Sequence, residues 1–591
     1  MGGLSLKRCS RPGVVCVVLL LVLASGCFAY SVRLRRPWFN TSPVCIESWL
    51  TSQPVLWSRQ WYREGALRLR FGLYLDPDSI EFPTQQSRGV YSSYPPGVLL
   101  PVYAMSTLLG REPSMAIMMA YNLFGHFVIT VLLSLLAFAF LRSIRTSYVD
   151  AFVLATIPIF VELFLPAPFF HHQTSYFHDV SVLPLFVLYV ALEFVRDRSA
   201  GRRTRAILSL LQAVVAFFGI LSDWLFAFVA LCLYAKRFVT GEIMPFRETN
   251  AKGAVVAFTS RSARFWFSFV LALSLFSLQL YHFGRFGALY AKFRERTGIQ
   301  GGSFLAFGKR NHFWDHHMAR GYGETGRLLV YLSMIVLAVL LAYAAWRLVR
   351  RKAPNRPLNR AVTLMFLILA PCALQVTFLR QHSAHIFHFF ATAKFAIPLA
   401  VIPFVVLPVA VLAAFNLNLA TFSVARIRGL FARRDPAGQP RWSLLPPLLV
   451  VLAAHYVYGE SPNLTKLFLE PPEHDPIAIG RFVDEHTVYE DVLFTQDVDL
   501  ATENMPAGLA YNMKHVYRVM SLRQIHDKLE EVQGEYVVNF LVREESLPML
   551  PQDLLRLLDS AYCCERFEGL LLHKIRKADF LQLHRQPAPS G

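Results

Sequence analysis

No glycine-rich phosphate loop follows the strand-like segments near the C-terminus of this chain, so that region is assigned no nucleotide chemistry. Its eight cysteines, at 9, 16, 27, 45, 232, 372, 563 and 564, have neither metal-ligand spacing nor the pattern of a disulfide framework. The vicinal Cys563-Cys564 pair stands in a hydrophobic, strand-like stretch, where thiols are more often inert than redox-active. There is no internal repeat, which weighs against transporter folds built from inverted halves, and no low-complexity tract. Acidic residues are scarce: 40 against 59 basic ones leave a net charge of +19. That excess does not point to nucleic acid, because the arginines and lysines cluster in short loops between apolar runs, where membrane topology demands them.

What is abundant is apolar sequence. Hydrophobic residues make up 54% of the 591, too many for an ordinary soluble protein of this size. Runs able to span a bilayer fall at about 13–32, 115–141, 149–167, 180–195, 206–222, 223–235, 265–281, 328–346, 361–379, 390–415 and 443–457. The expectation is a polytopic α-helical membrane protein of about eleven spans. The run 98–109 is short and begins with two prolines, so it is expected to be interfacial or re-entrant. Residues 1–457 form the membrane domain, with an interfacial loop over 33–114. Residues 458–591 are polar, and their alternating strand and helix patterns predict a small soluble α/β domain.

Charge sets the orientation. The loops 142–148, 196–205, 236–264, 347–360 and 416–442 each hold two to six basic residues, whereas the short loops of opposite parity hold one, Arg380. The positive-inside rule then places the N-terminus in the cytoplasm and the C-terminal domain outside. It also favours an uncleaved first span, because Lys7, Arg8 and Arg11 continue the pattern. Two outer loops break the rule, the opening loop with Arg33, Arg35 and Arg36 and the 282–327 loop with Arg296 among others. Some of their charge is available for an anion or for lipid headgroups.

The stretch from Val44 to Gly97 organises the outer face. It is rich in Trp and Tyr, and Pro54 divides its first half into two short pieces with one apolar face each. These pieces predict a roof of interfacial helices with carboxylates beneath it. Polar residues also collect where spans end. His171, His172, His178 and Asp179 join two spans, Asp223 stands alone at a turn, and His382, His385 and His388 at three-residue steps lead to Lys394. Lys394 falls inside the bilayer, where a charge needs a partner or a cavity. Each has a plainer reading: histidines bonding neighbouring helices, Asp223 capping the next helix, Glu47 on a solvated face.

Tyr91-Ser-Ser-Tyr94-Pro-Pro-Gly97 and the polar run from His382 to Lys394 resemble elements of the GT-C superfamily of membrane glycosyltransferases. The similar branch contains the protein O-mannosyltransferases and the lipid A aminoarabinose transferase. The first span, the interfacial loop and the outer C-terminal domain fit that plan. The resemblance implies hexosyl or pentosyl transfer, with inversion, from a polyprenyl-phosphate sugar to a glycan, lipid or protein acceptor outside a cell (inner) membrane or the ER membrane. Membrane lipid and that donor would be the partners, with no nucleic acid. It implies a base, for which Glu47, Asp76 and Asp78 are candidates, and a phosphate site drawn from Arg380, His382, His385, His388 and Lys394. Tyr94, His171, His172, His178, Asp179 and Asp223 would line the cavity. A monophosphate leaving group needs no cofactor, so no metal ligands are assigned, although a divalent metal is chemically compatible. One departure from the family is that Arg33, Arg35 and Arg36 precede any acid, leaving Glu47 the earliest carboxylate. A lipid-linked glycan flippase and a non-catalytic scaffold are the alternatives.

Overall fold

The computed structural model describes residues 11–39, 45–76, 84–85, 88–174, 176–244, 251–297, 312–350, 355–379, 389–415, 417, 444–468, 476–488, 490–497, 516–530, 532 and 534–585. Helices α1 (Arg11–Arg35), α2 (Cys45–Gln60), α3 (Leu100–Leu109), α4 (Met115–Ser143), α5 (Tyr148–Ala155), α6 (Ile157–Phe164) and α7 (Pro166–Thr174) open the membrane part. They are followed by α8 (His178–Ser181), α9 (Leu183–Arg196), α10 (Arg202–Ser222), α11 (Leu225–Val239), α12 (Ala251–His282), α13 (Phe286–Thr297), α14 (Met318–Val349) and α15 (Arg356–Phe378). A last long apolar segment, α16 (Phe389–Ala414), precedes α17 (Leu445–Gly459) and α18 (Ser461–Phe468).

This is a polytopic helical membrane protein with a small C-terminal sheet domain. Among the described residues, eight helices are long and apolar enough to cross a membrane, or nine if α5–α6 and α7, bent by 55°, count as one. The expected eleven therefore exceeds the number that pass on length. The difference lies in α11 and α17, each of 15 residues, or about 22 Å at 1.5 Å per residue against a core of about 30 Å. Helix α11 nevertheless joins the same two levels as α8–α9. Asp223 before it shares Gln375 with Lys394, the partner of Asp179, while Lys236 near its far end bonds Glu193 of α9. The 98–109 segment is a 3₁₀ turn followed by the ten-residue α3, which Gly110 ends in the left-handed conformation. It is too short to span, as expected.

The core lies where α4, α6, α9, α15 and α16 pack, around Leu133, Phe140, Ile159, Phe186, Met365 and Val401. Because lipid tails are as apolar as these side chains, close van der Waals packing holds this core together. Helix α16 is the most enclosed span and α1 the least. The polar end of α16 is wound as a 3₁₀ helix over Phe389–Phe395 and its middle as a π-helix over Ile402–Val406. Such departures from α geometry re-aim side chains at functional places.

The opening loop is built differently from the expectation. Pro54 lies inside a single helix, α2, which runs on into a π-turn at Trp61–Gly65. The lost N–H bond is outweighed because Val55, Trp57 and Trp61 are buried against Val98, Leu99, Val102 and Met118. The tryptophans thus fill a protein core, and the Trp61 indole N–H bonds Gly72 O at 2.8 Å. Glu64 is held by the buried Arg88 through two bonds of 2.8 and 3.0 Å.

The C-terminal domain has a mixed sheet of order β2-β1-β3-β5-β4, with β1 at Val492–Thr495, β2 at Val516–Arg518, β3 at Val537–Arg543, β4 at Cys563–Phe567 and β5 at Leu570–Arg576. β1 pairs in parallel with β2 and β3, while β5 lies antiparallel between β3 and β4. Cys563 and Cys564 sit as free thiols on the edge strand β4.

Candidate functional site

Lys394 lies on the 3₁₀ turn of α16 with no exposed surface. Its Nζ donates to Asp179 Oδ1 at 3.1 Å and to Gln375 Oε1. The Gln375 amide donates in turn to Asp223 Oδ1 at 3.0 Å, which also takes the Leu225 N–H at the start of α11. Asp223 therefore does cap the next helix, and joins a buried network as well. The second carboxylate oxygen of both Asp179 and Asp223 has no hydrogen-bond partner. Four elements thus bring two acids, an amide and an ammonium together in the apolar interior. Lys394 offsets the charge of Asp179, while Asp223 is held by the Gln375 amide and the Leu225 N–H.

A stack of rings connects this cluster to the opening loop. Trp57 lies 5.1 Å from Tyr91, which is stacked on Tyr94, which is stacked at 4.4 Å on the imidazole of His178. His178 Nδ1–H donates to Ser222 O at 3.0 Å, leaving Nε2 without a partner. The Tyr94-Pro-Pro-Gly97 element is fixed against the same turn. A Cβ on Gly97 would stand 2.3 Å from the Leu221 carbonyl oxygen, so only glycine permits this approach. The Trp224 indole N–H bonds Ser93 O at 2.9 Å, and Tyr176 OH bonds Val98 O. From α13, Arg296 donates to Tyr94 OH at 2.9 Å, with its guanidinium 4.6 Å from the ring centre. Among the described residues no carboxylate lies within 4 Å of Arg296.

A second polar cluster is adjacent, because consecutive residues of α7 point to different sides, about 100° apart on a helix. His171 faces Thr392 Oγ1 at 3.3 Å, whereas His172 stacks at 4.4 Å on His126 of α4. Arg35, at the end of α1, meets His126 Nδ1 at 3.0 Å, and His126 Nε2 meets the Glu162 carbonyl at 2.8 Å. His126, Glu162 and His172 bring three potential ligand atoms within 4.8 Å of one another. Both oxygens of the buried Glu162 and both ring nitrogens of His172 have no hydrogen-bond partner. Both His126 nitrogens are engaged, and the buried Arg35 guanidinium acts electrostatically on Glu162.

Of the residues expected from sequence, Tyr94, His178, Asp179, Asp223 and Lys394 come together. His171 and His172 are close by but divided between two clusters. Asp76 does not join them: its Oδ2 accepts the Gly89 N–H at 2.9 Å, which pins the loop around Arg88. Asp78, Arg380, His382, His385 and His388 lie outside the described residues, as does the side chain of Glu47, whose backbone lies in α2. Gln375, Arg296, His126 and Glu162 were missed as site residues. Glu162 interrupts an apolar run near its end and His126 interrupts another near its middle, the signal that would have found them.

The sequence matches no protein-family model and no curated protein. Among solved structures it resembles ArnT from Cupriavidus metallidurans, with 12% identity, 97% of this chain and 99% of that one covered, and a TM-score of 0.48. The oligosaccharyltransferase AglB from Archaeoglobus fulgidus, in complex with an inhibitory peptide and a dolichol-phosphate, matches at 9% identity over 98% of this chain and 77% of that one, with a TM-score of 0.47. Its apo form gives 10% identity over the same shares and 0.49. At scores below 0.5 these likenesses assign neither a residue nor an activity.

Proposed function

We propose that this chain is an integral-membrane glycosyltransferase that moves a hexosyl or pentosyl group from a polyprenyl-phosphate carrier to an acceptor outside, with inversion. The observation that carries the reading is the buried Asp179–Lys394–Gln375–Asp223 cluster, whose two aspartates each keep one oxygen free. Arg296 and Tyr94 border it. The resemblance of Tyr91–Gly97 to the Pro-Pro element of GT-C enzymes agrees with it.

In the step proposed, the acceptor hydroxyl oxygen bonds to the anomeric carbon while the bond from that carbon to the phosphate oxygen breaks. The hydroxyl proton passes to Asp223 Oδ2, and the electron pair of the broken bond stays on the phosphate. Arg296 and Lys394 meet the charge that develops there, the guanidinium offering a bidentate fork. Guanidinium and ammonium suffice for a monophosphate leaving group, so the step is written without a metal. The basic loops put this end of the spans outside and the N-terminus in the cytoplasm.

The test is transfer from a labelled polyprenyl-phosphate sugar by the purified chain. Asp223→Asn should lower turnover by at least about a hundredfold with donor binding retained. Arg296→Gln should weaken donor binding. Glu47→Gln is the control for the sequence-derived base; loss there with Asp223→Asn active would move the base to α2. Donor that crosses vesicle membranes without being transferred would replace the enzyme by a carrier.

A further inference from the structure

At the other end of α9 lies a cavity of about 740 Å³ between α9, α10, α11 and α15. The run from Asp179 to Arg196 is helical for most of its length, which at 1.5 Å per residue puts it roughly 25 Å from the Lys394 cluster. Its charges divide into two groups. Glu193, Asp197 and Glu242 are matched by Arg196, Lys236 and Arg237, with Lys236 Nζ 2.8 Å from Glu193, 2.7 Å from Asp197 and 3.5 Å from Glu242. These three acids could together hold a metal ion, but the Lys236 ammonium already bonds all three.

The second group is unbalanced. Arg198, Arg202, Arg205 and Arg360 also line the cavity, and among the described residues none has a carboxylate within 4 Å. Arg198 donates to Phe194 O at 2.8 Å, Arg205 to Ala200 O at 3.3 Å, and Arg360 to Ser143 O, contacts to uncharged oxygens, with Asp197 the acid whose charge acts on Arg198 from beyond ion-pair distance. Partial burial and, after it, the nearby charge of Arg360 pull the Arg198 guanidinium down from its ordinary value to about 10. Beneath these cations the wall is apolar, with Val190, Phe194, Leu364 and Leu367. Outside it, Val195, Ile207 and Leu210 are exposed on the flank of the spans.

We propose that this cavity binds the phosphate of an anionic ligand, the phosphate seated among Arg198, Arg202, Arg205 and Arg360. The apolar wall and the exposed flank of α9 and α10 point to a glycerophospholipid as its source, with the acyl chains along Val195, Ile207 and Leu210. Four arginines line this one cavity, Arg198, Arg202 and Arg205 exposed and Arg360 half-buried, and guanidinium forks suit phosphate oxygens. A set of arginines placed only to satisfy topology would attract a bilayer surface without selecting a ligand in detergent solution.

The experiment uses the full chain, purified and stripped of lipid in detergent, with short-chain phosphatidylglycerol, short-chain phosphatidylcholine and inorganic phosphate as separate probes in equilibrium binding. Phosphatidylglycerol should bind in preference to phosphatidylcholine. Basic residues near an anionic lipid contribute roughly fivefold in affinity each, so Arg202→Gln with Arg205→Gln should weaken binding by about thirtyfold. Lysine at both positions should restore most of it. Arg296→Gln should leave it unchanged, which separates this site from the proposed transfer site. Inorganic phosphate binding alone, lost in the same double variant, keeps the site and makes its ligand a soluble phosphate. Equal binding of the two lipids without any phosphate binding, or an unchanged affinity in the double glutamine variant, overturns the proposal.

Discussion

Replacing Lys394 by methionine should destabilise the membrane domain far more than the loss of one hydrogen bond. Lys394 and Asp179 have no exposed side-chain surface and approach to 3.1 Å. At an effective dielectric constant of 20 that separation corresponds to about 5 kcal/mol of attraction before desolvation is counted. Removing the lysine leaves Asp179 buried and uncompensated and takes the ammonium from Gln375 Oε1, a change expected to cost about 3–5 kcal/mol. Asp179→Asn strands the lysine and should cost a similar amount. The double replacement removes both charges and should cost only about 1–2 kcal/mol, since neither side chain then leaves a buried charge without its partner. Denaturant unfolding of the four proteins in one detergent reads the coupling directly. It should exceed about 2 kcal/mol, and costs that add to within about 0.5 kcal/mol would refute the reasoning.

Gly97→Val should detach the Tyr94 element from α10, because even a Cβ would stand 2.3 Å from Leu221 O. Limited proteolysis of the opening loop should accelerate, with Gly110→Ala as a comparison at a helix end where a Cβ meets nothing within 4 Å but the left-handed backbone is strained. Arg88→Gln should cost about 1.5–3 kcal/mol, the range for hydrogen bonds to a charged group, because it removes both bonds to Glu64. Arg88→Gln combined with Glu64→Gln should recover part of that loss in the same unfolding measurement; a larger loss in the pair would show that Arg88 acts through another contact.

The C-terminal domain was legible because its strand and helix patterns repeat at short range. Val537–Arg543 and Leu570–Arg576 carry the β-branched and leucine-rich runs that predict strands. The edge strand Cys563–Phe567 alternates partly buried with exposed residues, a weaker signal than the leucines beside it. The helix α2 departs from the two expected pieces for a related reason. A proline and interfacial-type aromatics suggested two surface pieces, but the burial of Trp57 and Trp61 against α3 and α4 is a long-range fact.

By itself the sequence determined that the chain crosses a membrane many times, since apolar runs of span length have no other stable solvent. It also determined which span ends are polar, because a histidine, aspartate or lysine near the end of such a run stands out locally. Only the tertiary structure decided which of those residues meet. Asp179, Asp223, Gln375 and Lys394 come from four separate segments, and neighbouring histidines of α7 turn to different clusters. Their pairing follows from helix rotation and packing between distant segments, which no local pattern records.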